Sequence, residues 1–164
     1  MVSHELGHWA NNNVIKQIVQ DLLRVYLMFI GFSFSFQHTD MPKDFGFDTD
    51  ESNVLHLLLY FIVLEPILEA FDFQKNALSR SMEFKADRYA VDLGYGKYLK
   101  SGLIAAHVNN HSNLNPDWLY ALFKFSHPAL IERLNEIDKA IIEIAQKEDP
   151  KNKAKVLKNS SSYN

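Results

Sequence analysis

Two histidines separated by three residues, His4 and His8, stand near the start of the chain with a glutamate, Glu5, directly after the first. On a helix, positions i and i+4 share a face one turn apart, so both imidazoles can converge on one cation while Glu5 reaches a water bound to it. Those are the minimum parts for metal-assisted peptide hydrolysis, and a third protein ligand is missing from them. Glu83, in a later segment at residues 79–87, offers that ligand. A carboxylate from a second helix completes a His₂Glu set for one zinc ion per chain and leaves the fourth tetrahedral position for water. Glu5 is then the base that takes the water proton and passes it to the leaving amine. Asp87, four residues beyond Glu83 and on the same helical face, can accept the free imidazole N–H of His4 or His8 and fix the ring. Taken singly these signals are weak, because a His-Glu-x-x-His match arises by chance and acidic residues at helical spacing usually mark a solvated face.

The elements that must position these groups are helices. With 164 residues and 47% apolar content, the chain is the size of one domain with material for a core. A net charge of -3 argues against nucleic acid as a partner, and the absence of cysteine leaves only His and carboxylate to hold a metal. Residues 14–36 and 54–64 are two apolar blocks, the second extending to about residue 71. By hydropathy alone, soluble core helices and membrane helices explain them equally well. The aromatic share, 13% of the chain, tips the reading toward membrane-embedded helices, with Lys16, Asp21 and Arg24 at the interface or facing a polar interior.

Residues 37–53 read as a polar loop, and Pro66 as the start or kink of a helix that stops at Gly94 or Gly96. A shorter helix is expected over residues 98–108, another after Asn115-Pro116 through Trp118 and Phe123, and a last one from Pro128. In the last, Leu130, Leu134, Ile137, Ile141 and Ile144 recur at amphipathic spacing. The expected organisation is one mainly α catalytic region over residues 1–147 and a polar, disordered tail over 148–164.

Together the motifs resemble the CAAX prenyl protease 1 family of intramembrane zinc metalloendopeptidases. The resemblance rests on His-Glu-Leu-Gly-His-Trp at 4–9, Phe45-Gly46-Phe47, Ser79-Arg80 followed by Glu83-Phe84-Lys85-Ala86-Asp87, Asp117-Trp118-Leu119, and Ser126-His127-Pro128. It implies a helical, zincin-like core in which His4, His8 and Glu83 bind zinc, Glu5 is the catalytic base, and His127 steadies the oxyanion at the scissile carbonyl. Without the resemblance, His127 reads more readily as a helix-capping histidine. Arg133, by resemblance, supports the site or binds a peptide carboxylate, the alternative being a surface ion pair. His38, His56, His107 and His111 match nothing and read as structural or exposed.

The same resemblance implies removal of the C-terminal tripeptide of prenylated CAAX proteins, contact with membrane lipid, and residence in the endoplasmic reticulum membrane or inner nuclear membrane. Members carry a long membrane region ahead of the first motif, so the chain is expected to be truncated relative to the family. The alternatives are a soluble-type peptidase acting on unfolded proteins and an inactive helical remnant.

Overall fold

The computed structural model describes residues 1–37, 40–47, 53–110 and 116–148. Among them the elements are all helical: α1 (Val2–Ala10), α2 (Asn13–Gln37), α3 (Met41–Asp44), α4 (Asn53–Asp92), α5 (Gly96–Asn109), α6 (Trp118–Lys124) and α7 (Leu130–Glu148). The expected mainly α class therefore holds. The chain divides into two compact units, residues 15–75 and residues 1–14 with 76–164, and α4 contributes to both. The expected tail falls almost wholly outside the described residues, as do His38, His111 and Asn115.

In the unit of residues 15–75, α2 and the first part of α4 form an antiparallel pair. Asp21 meets Lys75 at 2.6 Å, Arg24 meets Asp72 at 2.6 Å, and Ser35 meets His56 at 3.0 Å, so partners advance along α2 as they retreat along α4. The Tyr60 hydroxyl donates to the Met28 carbonyl, and Gly31 gives it room, since a Cβ there would lie 3.2 Å from that hydroxyl oxygen. The seam between these helices thus carries small, aromatic and charged groups at a spacing of three and four residues, one helical stripe. The charges at Asp21 and Arg24, expected to seek a polar environment, find it in Lys75 and Asp72 across this seam.

Two details depart from expectation. Residues 41–44 of the expected loop form one short helical turn, α3, with Pro42 where its missing N–H costs nothing. Pro66 neither starts nor ends a helix: α4 runs unbroken for 40 residues with the proline inside it. The helical bonds on either side of the one lost at Pro66 carry the element through.

In the other unit the apolar stripe of α7 does what its spacing predicts. Leu130, Ile137 and Ala140 are buried with Ala90, Val91, Leu99 and Leu103, and Leu134, Ile141 and Ile144 pack against them. Gly96 starts α5 tightly against α7, because a Cβ there would sit 3.0 Å from Cδ1 of Ile141. Gly94, with φ of 82°, takes the left-handed conformation that ends α4. The α6 helix begins at Trp118 rather than directly after Pro116, because Asp117 is its cap and accepts from the Tyr120 amide at 2.9 Å. Likewise α7 begins at Leu130, two residues past Pro128, and the Ala129 carbonyl accepts from the Arg133 amide.

Candidate metal centre

The short α1 helix owes its place to Gly7. A Cβ on that residue would lie 2.8 Å from Cα of Ala86 and 2.9 Å from its carbonyl oxygen, so only glycine lets α1 approach α4 this closely. On α1, His4 lies three residues before this contact and His8 one after it, and on α4 Glu83 lies three residues before Ala86 and Asp87 one after it. His4, Glu83 and Asp87 are all buried.

The three expected ligands meet. Nε2 of His4 and Nε2 of His8 are 3.1 Å apart, with the rings nearly perpendicular at 88°. His4 Nε2 lies 3.4 Å from Glu83 Oε2, and His8 Nε2 lies 3.4 Å from Glu83 Oε1. A four-coordinate cation with bonds of about 2.0–2.1 Å holds its ligand atoms about 3.3 Å apart. The two Nε2 atoms thus stand near that separation from each other and each from one oxygen of the Glu83 carboxylate, His4 from Oε2 and His8 from Oε1, and the donor set of two imidazoles and a carboxylate suits a divalent metal.

The surroundings orient each ligand. Nδ1 of His4 contacts Oδ1 of Asp87 at 2.9 Å, so the expected carboxylate partner serves His4 and not His8. The ring N–H is off the line to that oxygen, which makes the contact an ion pair more than a linear hydrogen bond. Asp87 in turn accepts two bonds from Arg133, at 2.8 Å and 2.7 Å, and Nη1 of Arg133 lies 3.1 Å from Glu83 Oε2. Arg133 is buried at the site and bridges both carboxylates, so the surface ion pair gives way to a supporting position. His127 is 66% exposed in its side chain, and its Nδ1 lies 3.1 Å from Glu83 Oε1. The segment carrying His127 is held by Arg80, whose Nη1 donates to the carbonyls of Ala121, Leu122 and Phe125. The Glu5 side chain is exposed and makes no hydrogen bond or ion pair among the described residues.

One neighbour escaped the sequence reading. Asn13, fully buried, places its side-chain amide nitrogen 2.9 Å from Nδ1 of His8. The run Asn11-Asn12-Asn13 is a turn signal that marks this reversal in the sequence, though not its target. His56, by contrast, is buried against Ser35 and plays a structural part.

The charges gathered here favour a proton on His4 and His127 and keep protons off Glu83 and Asp87. Burial alone would lower the pKa of His4, but Asp87 and Glu83 more than reverse this and raise it to about 9. Burial alone would raise Glu83, yet His127, His4 and Arg133 hold it well below the usual carboxylate range. Asp87 is lowered in the same way, its burial outweighed by Arg133 and His4. His127 is raised by its bond to Glu83, against the opposing effect of burial.

Helices that deliver His4, His8 and Glu83 to one point define a helical metallopeptidase core of the His-Glu-x-x-His kind. The profile of peptidase family M48 matches residues 1–141, and the chain belongs to that family. It is 36% identical over 138 residues to the CAAX prenyl protease 1 homolog of Arabidopsis thaliana, covering 84% of this chain and 32% of the relative. The probable CAAX prenyl protease 1 of Schizosaccharomyces pombe is 37% identical over 139 residues, covering 84% and 29%. The crystal structure of S. mikatae Ste24p superposes with a TM-score of 0.73 at 30% identity, covering 84% of this chain and 35% of that one. The chain thus spans about a third of the length of the relatives it matches.

Proposed function

We propose that residues 1–147 form one metallopeptidase region of a zinc metalloendopeptidase that removes the C-terminal tripeptide of prenylated CAAX proteins. The observation that carries this reading is the convergence of His4, His8 and Glu83, with the two Nε2 atoms 3.1 Å apart and each 3.4 Å from one oxygen of the Glu83 carboxylate. Two imidazoles and one carboxylate, with no cysteine in the chain, are the donor set of a catalytic zinc site. Bound zinc supplies Lewis acidity toward a water and a peptide carbonyl.

The remaining chemistry belongs to side chains. Glu5, unpaired and exposed next to His4, is free to take a proton and return it to the leaving amine. Because Nδ1 of His127 faces Glu83, its other ring nitrogen points away, where it can donate to negative charge growing on a scissile carbonyl. Arg133 and Asp87 hold Glu83 and His4 in place.

The apolar helices support a membrane setting. An 18-residue window of α2 has mean hydropathy 1.4 with none of it buried, and one in α4 reaches 1.9 with 22% buried. Apolar side chains left outside a protein core are at home against lipid, as a prenylated substrate is. We place the protein in the endoplasmic reticulum membrane or inner nuclear membrane on the family's habits. The test combines zinc content with hydrolysis of a farnesylated CAAX peptide. Stoichiometric zinc with turnover that Glu5→Gln abolishes, while zinc is kept, is the expected result; normal turnover in Glu5→Gln overturns it.

A further inference from the structure

The two histidine ligands have different neighbours on their far sides. His4 has a carboxylate, Asp87, at 2.9 Å from Nδ1, and His8 has a neutral amide, Asn13, at 2.9 Å from Nδ1. Asn13 is wholly buried and its Oδ1 has no hydrogen-bond partner, an unusual cost for a side chain with no chemical task. The chain is shaped to deliver it. Asn11 caps the end of α1 through a 2.8 Å bond to the Gly7 carbonyl, and Asn12 takes φ of 53°, the left-handed conformation asparagine tolerates better than most residues. That reversal returns the first residue of α2 to the side chain at the end of α1.

We propose that Asn13 is the positioning residue for His8, its side-chain oxygen accepting the Nδ1 proton so that Nε2 is committed to the metal. The inference rests on the assignment of His8 as a ligand made above. A neutral imidazole that gives the Nε2 lone pair to a cation keeps its single proton on Nδ1, and that proton needs an acceptor. With the amide nitrogen toward Nδ1, both groups could not donate, and the proton would be driven to Nε2. A half turn of the amide exchanges Nδ2 and Oδ1 within the same volume and gives the unpartnered oxygen its donor.

Zinc affinity of the full chain, measured by chelator competition in detergent, tests the proposal, with thermal melting to confirm folding. Asn13→Leu and Asn13→Ala should each weaken zinc binding about 10- to 100-fold. Asn13→Asp, which keeps the acceptor, should stay within about threefold of the parent. In a His8→Ala background, Asn13→Leu should cause no further loss, a coupling that a purely structural role would not produce. Parental affinity in Asn13→Leu or Asn13→Ala, where His8→Ala has lost it, overturns the role of Asn13 alone. So does an Asn13→Asp variant as weak as Asn13→Leu. Parental affinity in His8→Ala, or a parent that binds no zinc, overturns the ligand assignment and this role together.

Discussion

The two compact units spend similar apolar side chains in opposite ways. In the unit of residues 1–14 and 76–164, the stripe of α7 turns inward, with Ile137 only 1% exposed, and packs on α5 and α4. In the unit of residues 15–75, Leu22, Tyr26, Phe29 and Phe34 of α2 are exposed while ion pairs and a Ser–His bond occupy the seam. Hydrophobic periodicity alone reports that a helix has a face. Which solvent that face answers to is decided by what lines the opposite face, and only α7 opposes its stripe with a charged, water-ready side.

The largest effect should come from the candidate ligands in the unit of residues 1–14 and 76–164. Glu83→Ala or His4→Ala should weaken metal binding by more than about 100-fold, beyond what loss of an outer partner costs, as read by metal content after dialysis. Retained stoichiometric metal would remove the site from that unit. Next is Asp87→Ala, which leaves Arg133 and His4 without their shared anion in a buried setting. It should cost about 3–5 kcal/mol of stability in denaturant unfolding.

The comparison is tested directly by a pair of truncations. Ile137→Ala should destabilise the chain by about 2–5 kcal/mol. Phe29→Ala, an exposed position of α2, should shift stability in detergent by less than about 0.5 kcal/mol while loosening retention in vesicles under carbonate. Equal destabilisation by the two would mean that α2 packs as a water-soluble core helix does.

The smallest effect concerns pH. His4 in the metal-free chain has its pKa raised from 6.5 to about 9, so its pairing stabilises the fold fully below 6.5 and is lost as pH rises through about 9. Metal must displace that proton, so zinc affinity should climb across the same interval and level off above it. A flat affinity between pH 6.5 and 9 would show that His4 holds no proton there.

The sequence made some of this legible for physical reasons and hid the rest. His4 and His8 are readable because helical spacing is local, and the α7 stripe for the same reason. Glu83 is readable only through coordination number, since two histidines leave a catalytic metal short of one ligand. Asn13 was hidden because its contact depends on the left-handed turn at Asn12, a tertiary outcome that no periodicity encodes. Spacing alone leaves Arg133, six positions past His127, open to a surface ion pair, and only the resemblance brings it to the site; its burial follows from two carboxylates on α4 that face it. Pro66 reads in the sequence as a helix start or a kink because helix rules weigh the missing hydrogen bond, and of the two the start gives way, since α4 continues through it on the strength of its flanking turns.

Gly7 gives the first motif a second meaning. Its hydrogen occupies the space where any other residue would press a methyl group into the Ala86 backbone. The position between the histidines that contributes no chemistry is therefore the one that sets how near the imidazoles of α1 come to the Glu83 carboxylate of α4. Widening that gap by the breadth of one carbon would leave His4 and His8 side by side on α1 and carry both away from Glu83.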